Sequence, residues 1–141
     1  MVFKFEKLEV WQLALEYVDL IYAIAEQLPR HEEYNLRSQI VRASTSAALN
    51  IAEGSTGQTN VEQARFLGMA IRSLLETIAC QHIIKRRSYL QDSVLLRQAY
   101  SDADRLTAKL QAMRTKLVPQ QSWIREEAVE YVQDGTSPYD E

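Results

Sequence analysis

The sequence predicts an all-α fold, an antiparallel up-down-up-down four-helix bundle with a short C-terminal extension, and three observations carry that expectation. Apolar residues recur at steps of three and four along four long stretches, the spacing that lines one face of a helix. Only four glycines and three prolines occur in 141 residues, most of them between those stretches or beyond the last. The connections are short, and short connections make consecutive helices run antiparallel.

The first helix is predicted from Leu8 to Gln27, with Leu8, Trp11, Ala14, Leu15, Val18, Ile21, Tyr22 and Ala25 on its inner face. Pro29 ends it and forces the preceding residue toward an extended conformation, so Leu28 to Tyr34 reads as a turn. A second helix follows from Asn35 to Glu53, burying Leu36, Ile40, Ala43, Ala47 and Ile51, and Gly54 supplies the left-handed residue that commonly stops a helix. Ser55 to Thr59 is the next loop. Thr59 with Glu62 reads as a capping box opening a third helix, which reaches Arg87 and turns Phe66, Leu67, Ala70, Ile71, Leu74 and Ile78 inward, with Gln81 or His82 extending the stripe. The fourth, Gln91 to Leu117, places Leu96, Ala99, Ala103, Leu106, Leu110, Met113 and Leu117 on one seam of the kind that packs at a shallow angle. Residues 1–118 form the bundle. Pro119 starts an acidic tail, 119–141, in which Ser122 to Val132 can form a short helix and Asp134 to Glu141 reads as disordered.

Several functions are excluded or disfavoured at this stage. No uninterrupted apolar run exceeds six residues, as in Phe66 to Ile71, so nothing spans a bilayer. Charged residues at Lys4, Glu6, Lys7 and Glu9 interrupt any export signal, and a cytoplasmic location is expected. The one cysteine, Cys80, reads as a small buried hydrophobe. A di-iron bundle needs Glu-x-x-His pairs, but Leu28 and Ala79 stand three residues before His31 and His82, so neither a metal nor any other cofactor is expected. Glu76 instead reads as a partner for Arg42 on the antiparallel neighbour. No nucleophile elbow, Ser/His/acid grouping or phosphate loop is present, which argues against an enzyme.

Charge is the uneven feature. Residues 85–116 hold eight Lys/Arg against three Asp, a net of +5, whereas 117–141 hold Arg125 against six acids, a net of −5. Candidate contacts for a nucleic-acid backbone are Lys85, Arg86, Arg87, Arg97, Arg105 and Lys109. Two other readings stay open. A pI near 5.5 favours a merely solvated surface, and the acidic tail can fold back over the basic helix or a neighbouring subunit's. Self-association is expected because Trp11, Leu13, Tyr22, Ile24 and Leu49 exceed the apolar needs of one face.

Phe5, Leu8, Val10, Trp11 and Ala14, then Pro29, Tyr34, Leu36, Gln39, Arg42, Ala43 and Ser46, lead into the run Asn50-Ile51-Ala52-Glu53-Gly54. With Thr59, Glu62, Phe66, Leu67, Ala70, Ser73, Leu74, Glu76, Tyr89 and Leu90, these residues make the chain resemble the 23S rRNA intervening-sequence protein family of bacterial four-helix-bundle proteins. Asn50, Glu53 and Gly54 are the most specific part, read as closing the second helix. The resemblance implies a homopentameric ring without enzymatic activity. A related branch of retroelement accessory proteins implies RNA or single-stranded DNA, and a reverse transcriptase, as partners of a basic surface. The chain departs from the pattern at Gly57, Gln58, Gln63, Arg72 and the acidic tail. The function expected is a non-enzymatic oligomeric scaffold or adaptor that binds nucleic acid; the alternative is a protein-interaction module that does not.

Overall fold

The computed structural model describes residues 2–56, 59–118 and 137–139. Four long helices make up most of it, α1 (Glu9–Glu26), α2 (Ser38–Gly54), α3 (Asn60–Arg86) and α4 (Val94–Leu117), and no strand occurs among the described residues. Each helix packs mainly on its neighbours in the chain, and α1 also packs on α4. This closed order is compatible with the up-down bundle expected from the short connections. The expected helix at 122–132 lies outside the described residues.

The stripe of α2 falls where the periodicity puts it, and that of α4 does so up to Leu110; beyond it Met113 and Leu117 are only half-buried, and Arg114 takes the buried position. Leu36, Ile40, Ala43, Ala47 and Ile51 are buried, as are Leu96, Ala99, Ala103, Leu106 and Leu110. Two boundaries shift. A π-turn, Glu33–Arg37, leads directly into α2, and α4 begins at Val94 rather than Gln91. On α3, Gln81 is buried while His82 is exposed and Phe66 is half-buried.

The first helix meets expectation in part: Ala14, Ile21 and Ala25 are buried as expected and Leu8 and Val18 are half-buried against the core. Its buried residues are Val10, Ala14, Tyr17, Ile21, Ile24 and Ala25, whereas Leu15 and Tyr22 are 39% and 47% exposed. Ile24, expected on the outside, is a fully enclosed core residue. Leu13 and Trp11 are half-buried and pack on the core margin. Because the apolar arc of α1 is wide, opposed only by the strip Glu9, Gln12, Glu16, Asp19 and Glu26, two adjacent stripes compete, and packing selects the one that brings Tyr17 inward. Tyr17 shares a 2.6 Å hydrogen bond with Thr77, and Gln81 donates its amide to the same phenol oxygen at 2.9 Å. Burial holds the Tyr17 phenol well above its usual pKa, so it is a neutral group whose polar end is satisfied inside the core.

Gly54 is also corrected. It is the last residue of α2, and its backbone is not left-handed; Ser55 caps the helix at φ −93°. The glycine is needed because a Cβ there would lie 3.0 Å from Cβ of Phe66 on α3. Gly68 likewise opens space on α3, for the buried guanidinium of Arg114 at 3.0 Å. Arg114 therefore does not belong to the surface charge counted from the sequence.

Thr59 caps α3 by accepting the Glu62 N–H at 3.2 Å, but Glu62 turns to an ion pair with Arg65 instead of closing the box. Of the stretch expected to be disordered, residues 137–139 are described, and there Tyr139 is only 3% exposed and joins the main core cluster.

Candidate nucleic-acid interface

The basic region begins where α3 stops. Ser88 adopts φ 56°, and the Ser88 and Tyr89 N–H groups return to the carbonyls of Lys85 and Ile84 at 3.0 and 3.3 Å. This is a Schellman closure with serine at the left-handed position. It projects Lys85, Arg86 and Arg87 outward at the end of the bundle, and all three are exposed. After the turn, Asp92 accepts the Val94 N–H at 3.0 Å and starts α4. Lys85 Nζ donates to Ser93 Oγ at 2.8 Å across this turn. Lys85, Ser88, Asp92 and Ser93 border a pocket of about 220 Å³ floored by Ile84 and Leu96.

Arg87 faces a different way. Its guanidinium lies 5.9 Å from the centre of the Tyr89 ring, and the Tyr89 hydroxyl donates to Glu32 Oε2 at 2.7 Å. Asn35 donates to the other oxygen of Glu32 at 3.0 Å, and His31 Nε2 lies 3.2 Å from the Tyr89 hydroxyl. These bonds, Tyr89 first and Asn35 second, hold the Glu32 carboxyl below its usual range against the opposing effect of burial. The group ties the α1–α2 turn to the α3–α4 turn, and Arg87 is drawn toward it.

Arg97 is exposed on the second turn of α4. Arg105 and Lys109 lie two to three turns further on, and Lys109 pairs with Glu9 of α1 at 2.7 Å. Lys109, then Arg105, keep the Glu9 carboxyl below its usual range. The six candidate cations thus fall into two groups: Lys85, Arg86, Arg87 and Arg97 around the α3–α4 turn, and Arg105 with Lys109 against the start of α1.

At the other end of α2, Asn50 donates to the Ser46 carbonyl at 2.9 Å and to its hydroxyl at 3.2 Å, and Ser73 of α3 donates to Ser46 Oγ at 3.0 Å. Asn50 therefore holds a backbone carbonyl one turn back inside α2 and not at the turn, and Glu53 is exposed. Arg42 does not pair with Glu76; it donates to Ser38 at 3.2 Å on its own helix. Cys80 is buried, and desolvation raises its thiol pKa, which makes it inert. Among the described residues no three His, Cys, Asp or Glu gather as metal ligands, and no helix is long and apolar enough to cross a membrane.

The Tyr17–Thr77–Gln81 and Glu32–Tyr89 networks were not anticipated. A tyrosine one step from an apolar stripe, and Glu32 three residues before Asn35, were the only signals available. The residues that carry the resemblance sit at the start of α1, along α2 and α3, and at the α1–α2 and α3–α4 turns. A family model for the 23S rRNA-intervening sequence protein matches residues 6–112. The chain belongs to this family. The match covers all of α1, α2 and α3 and most of α4, and stops before the acidic tail. No curated protein matches the chain.

Proposed function

We propose that this member of the 23S rRNA-intervening sequence protein family is a non-enzymatic, oligomeric scaffold or adaptor in the cytoplasm that binds RNA or single-stranded DNA. Its four helices are taken to run up-down-up-down and its protomers to form a homopentamer, with a reverse transcriptase as a candidate protein partner. The observation that carries the reading is the exposed cationic rim around the α3–α4 turn, Lys85, Arg86 and Arg97, built on a rigid helix end. Several cations on fixed backbone attract a phosphate chain without base specificity and release its counterions. Filter binding with a single-stranded RNA and a single-stranded DNA at low salt tests this. Affinity should fall steeply with salt and drop when Lys85, Arg86 and Arg87 are replaced by alanine; salt-independent or absent binding refutes it.

A protein-interaction module without nucleic-acid binding is the second reading, and the outer face of α1 favours it. Leu15 and Tyr22, seven residues apart, expose apolar surface on one side of α1, and Tyr22 borders a groove with Val41 and Arg37. Changing Leu15 and Tyr22 to glutamate should lower the mass measured by light scattering while leaving helicity intact. An unchanged mass counts against this face as the subunit contact.

A further inference from the structure

We propose that the outer ridge of α3 receives the outer ridge of α1 from a second copy of this chain, with Glu26 of one protomer paired to Arg86 of its neighbour, a contact that rests on the oligomeric reading above. On a helix, residues three and four apart are neighbours, so Leu75, Ala79, Ile83 and Arg86 follow one another along α3. All four are exposed, Leu75 by 47% and Ile83 by 48%. Three apolar residues in one row on the solvent side of a helix, opposite the buried face that fills the core, mark a contact surface. On α1 the corresponding row is Leu15, Asp19, Tyr22 and Glu26, and all four are exposed as well.

Charge and register select this pairing. The first helix holds four acids and no Lys or Arg, whereas α3 holds four Lys/Arg against two Glu, so two α1 ridges repel each other and an α1 ridge is drawn to α3. Arg37 and Arg42 reach the groove beside Tyr22 with Glu33 among them, but within the α1 row the only charges are negative, Asp19 and Glu26. In one protomer Tyr17 bonds Thr77 and Gln81, and Glu32, just beyond α1, bonds Tyr89, just beyond α3. The two helices therefore ascend together, and copies related by rotation about an axis along the bundle keep that direction. Both rows advance by eleven residues, about 16 Å, so Leu15 falls opposite Leu75, Tyr22 opposite Ile83 and Glu26 opposite Arg86. A contact between two different ridges leaves each copy one free ridge of the other kind, and association continues head to tail until a ring closes. Arg86 passes from the cationic rim to this seam, while Lys85, which donates to Ser93, and Arg97 stay beside it.

Two double variants of the full chain test the pairing by light scattering. Leu15→Glu with Tyr22→Glu disables the α1 ridge, and Leu75→Glu with Ile83→Glu disables the α3 ridge. All four side chains are exposed, so helicity in circular dichroism should match wild type. Each variant alone should be a monomer. A concentrated equimolar mixture of the two should give a dimer and nothing larger, because one intact α1 ridge then meets one intact α3 ridge. A mass unchanged by Leu75→Glu with Ile83→Glu overturns the α3 ridge as the seat, and a mixture that stays monomeric overturns the pairing of the two ridges. Glu26→Arg and Arg86→Glu each bring like charges together and should weaken association about tenfold or more, and the two combined should restore it. Without that restoration the Glu26–Arg86 pair is wrong. Should a glutamate variant lose helicity, the charge-reversal pair, at two exposed helix ends, decides in its place. A wild type that is itself a monomer rejects the oligomeric reading, and the docking with it.

Discussion

Ser88 holds a left-handed backbone at φ 56° that costs an L-residue about 1–2 kcal/mol and glycine almost nothing. Its side chain is exposed, so little packing is lost on removing it. Ser88→Gly should therefore stabilise the chain by about 1 kcal/mol, read as a higher midpoint in urea with an unchanged slope. Gly54 carries the opposite expectation. A methyl at this position meets Phe66 Cβ at 3.0 Å, an atom fixed to the α3 backbone, so Gly54→Ala should destabilise by about 1–3 kcal/mol despite the better helix propensity of alanine. The same urea titration checks both. These two residues show what the sequence could and could not disclose: a glycine before a loop reads as a left-handed stop, and only the approach of α3 reveals that it is a contact point. The left-handed residue instead fell on a serine, where composition offers no sign of it.

At the scale of elements, α2 and α4 were legible because each carries one apolar stripe and a polar remainder. The first helix was legible only in part, because Leu8, Trp11, Leu15, Val18 and Tyr22 compete with Val10, Ala14, Tyr17, Ile21 and Ile24. What decides is Tyr17, whose hydroxyl finds Thr77 and Gln81 on α3. Turning α1 to bury the other stripe would leave those two α3 groups enclosed without that partner. Tyr17→Phe tests the argument, since it keeps the ring and removes the oxygen. Thr77 still donates to the Leu74 carbonyl at 2.6 Å, but the Gln81 amide loses its acceptor, so a loss of about 1–3 kcal/mol is expected in thermal unfolding. A variant as stable as wild type would show that stripe selection rests on apolar packing alone.

Over the whole molecule, the end that bears Lys85, Arg86 and Arg87 is closed by Glu32, which joins the two turns through Tyr89 and Asn35. The basic residues themselves were legible as a cluster in the sequence, but their separation into two groups was not, because Glu9 beside Lys109, and Glu32 beside Arg87 through Tyr89, are distant from those cations in the chain and approach them only on folding. The closure predicts a pH dependence of definite sign. The folded state holds the Glu32 carboxyl below the ordinary value of 4.5, so it favours the charged form relative to the unfolded chain. The resulting stabilisation is complete above that ordinary value and is lost as pH falls through the lower folded-state pKa. Glu32→Gln should therefore melt at a lower temperature than wild type at neutral pH, with the gap narrowing as the solution is acidified and closing once Glu32 is protonated in the folded protein. Melting curves from neutral pH to pH 3 check this. A gap that persists undiminished at the acid end would mean that the amide disturbs packing and that the carboxylate charge contributes nothing to holding the two turns together.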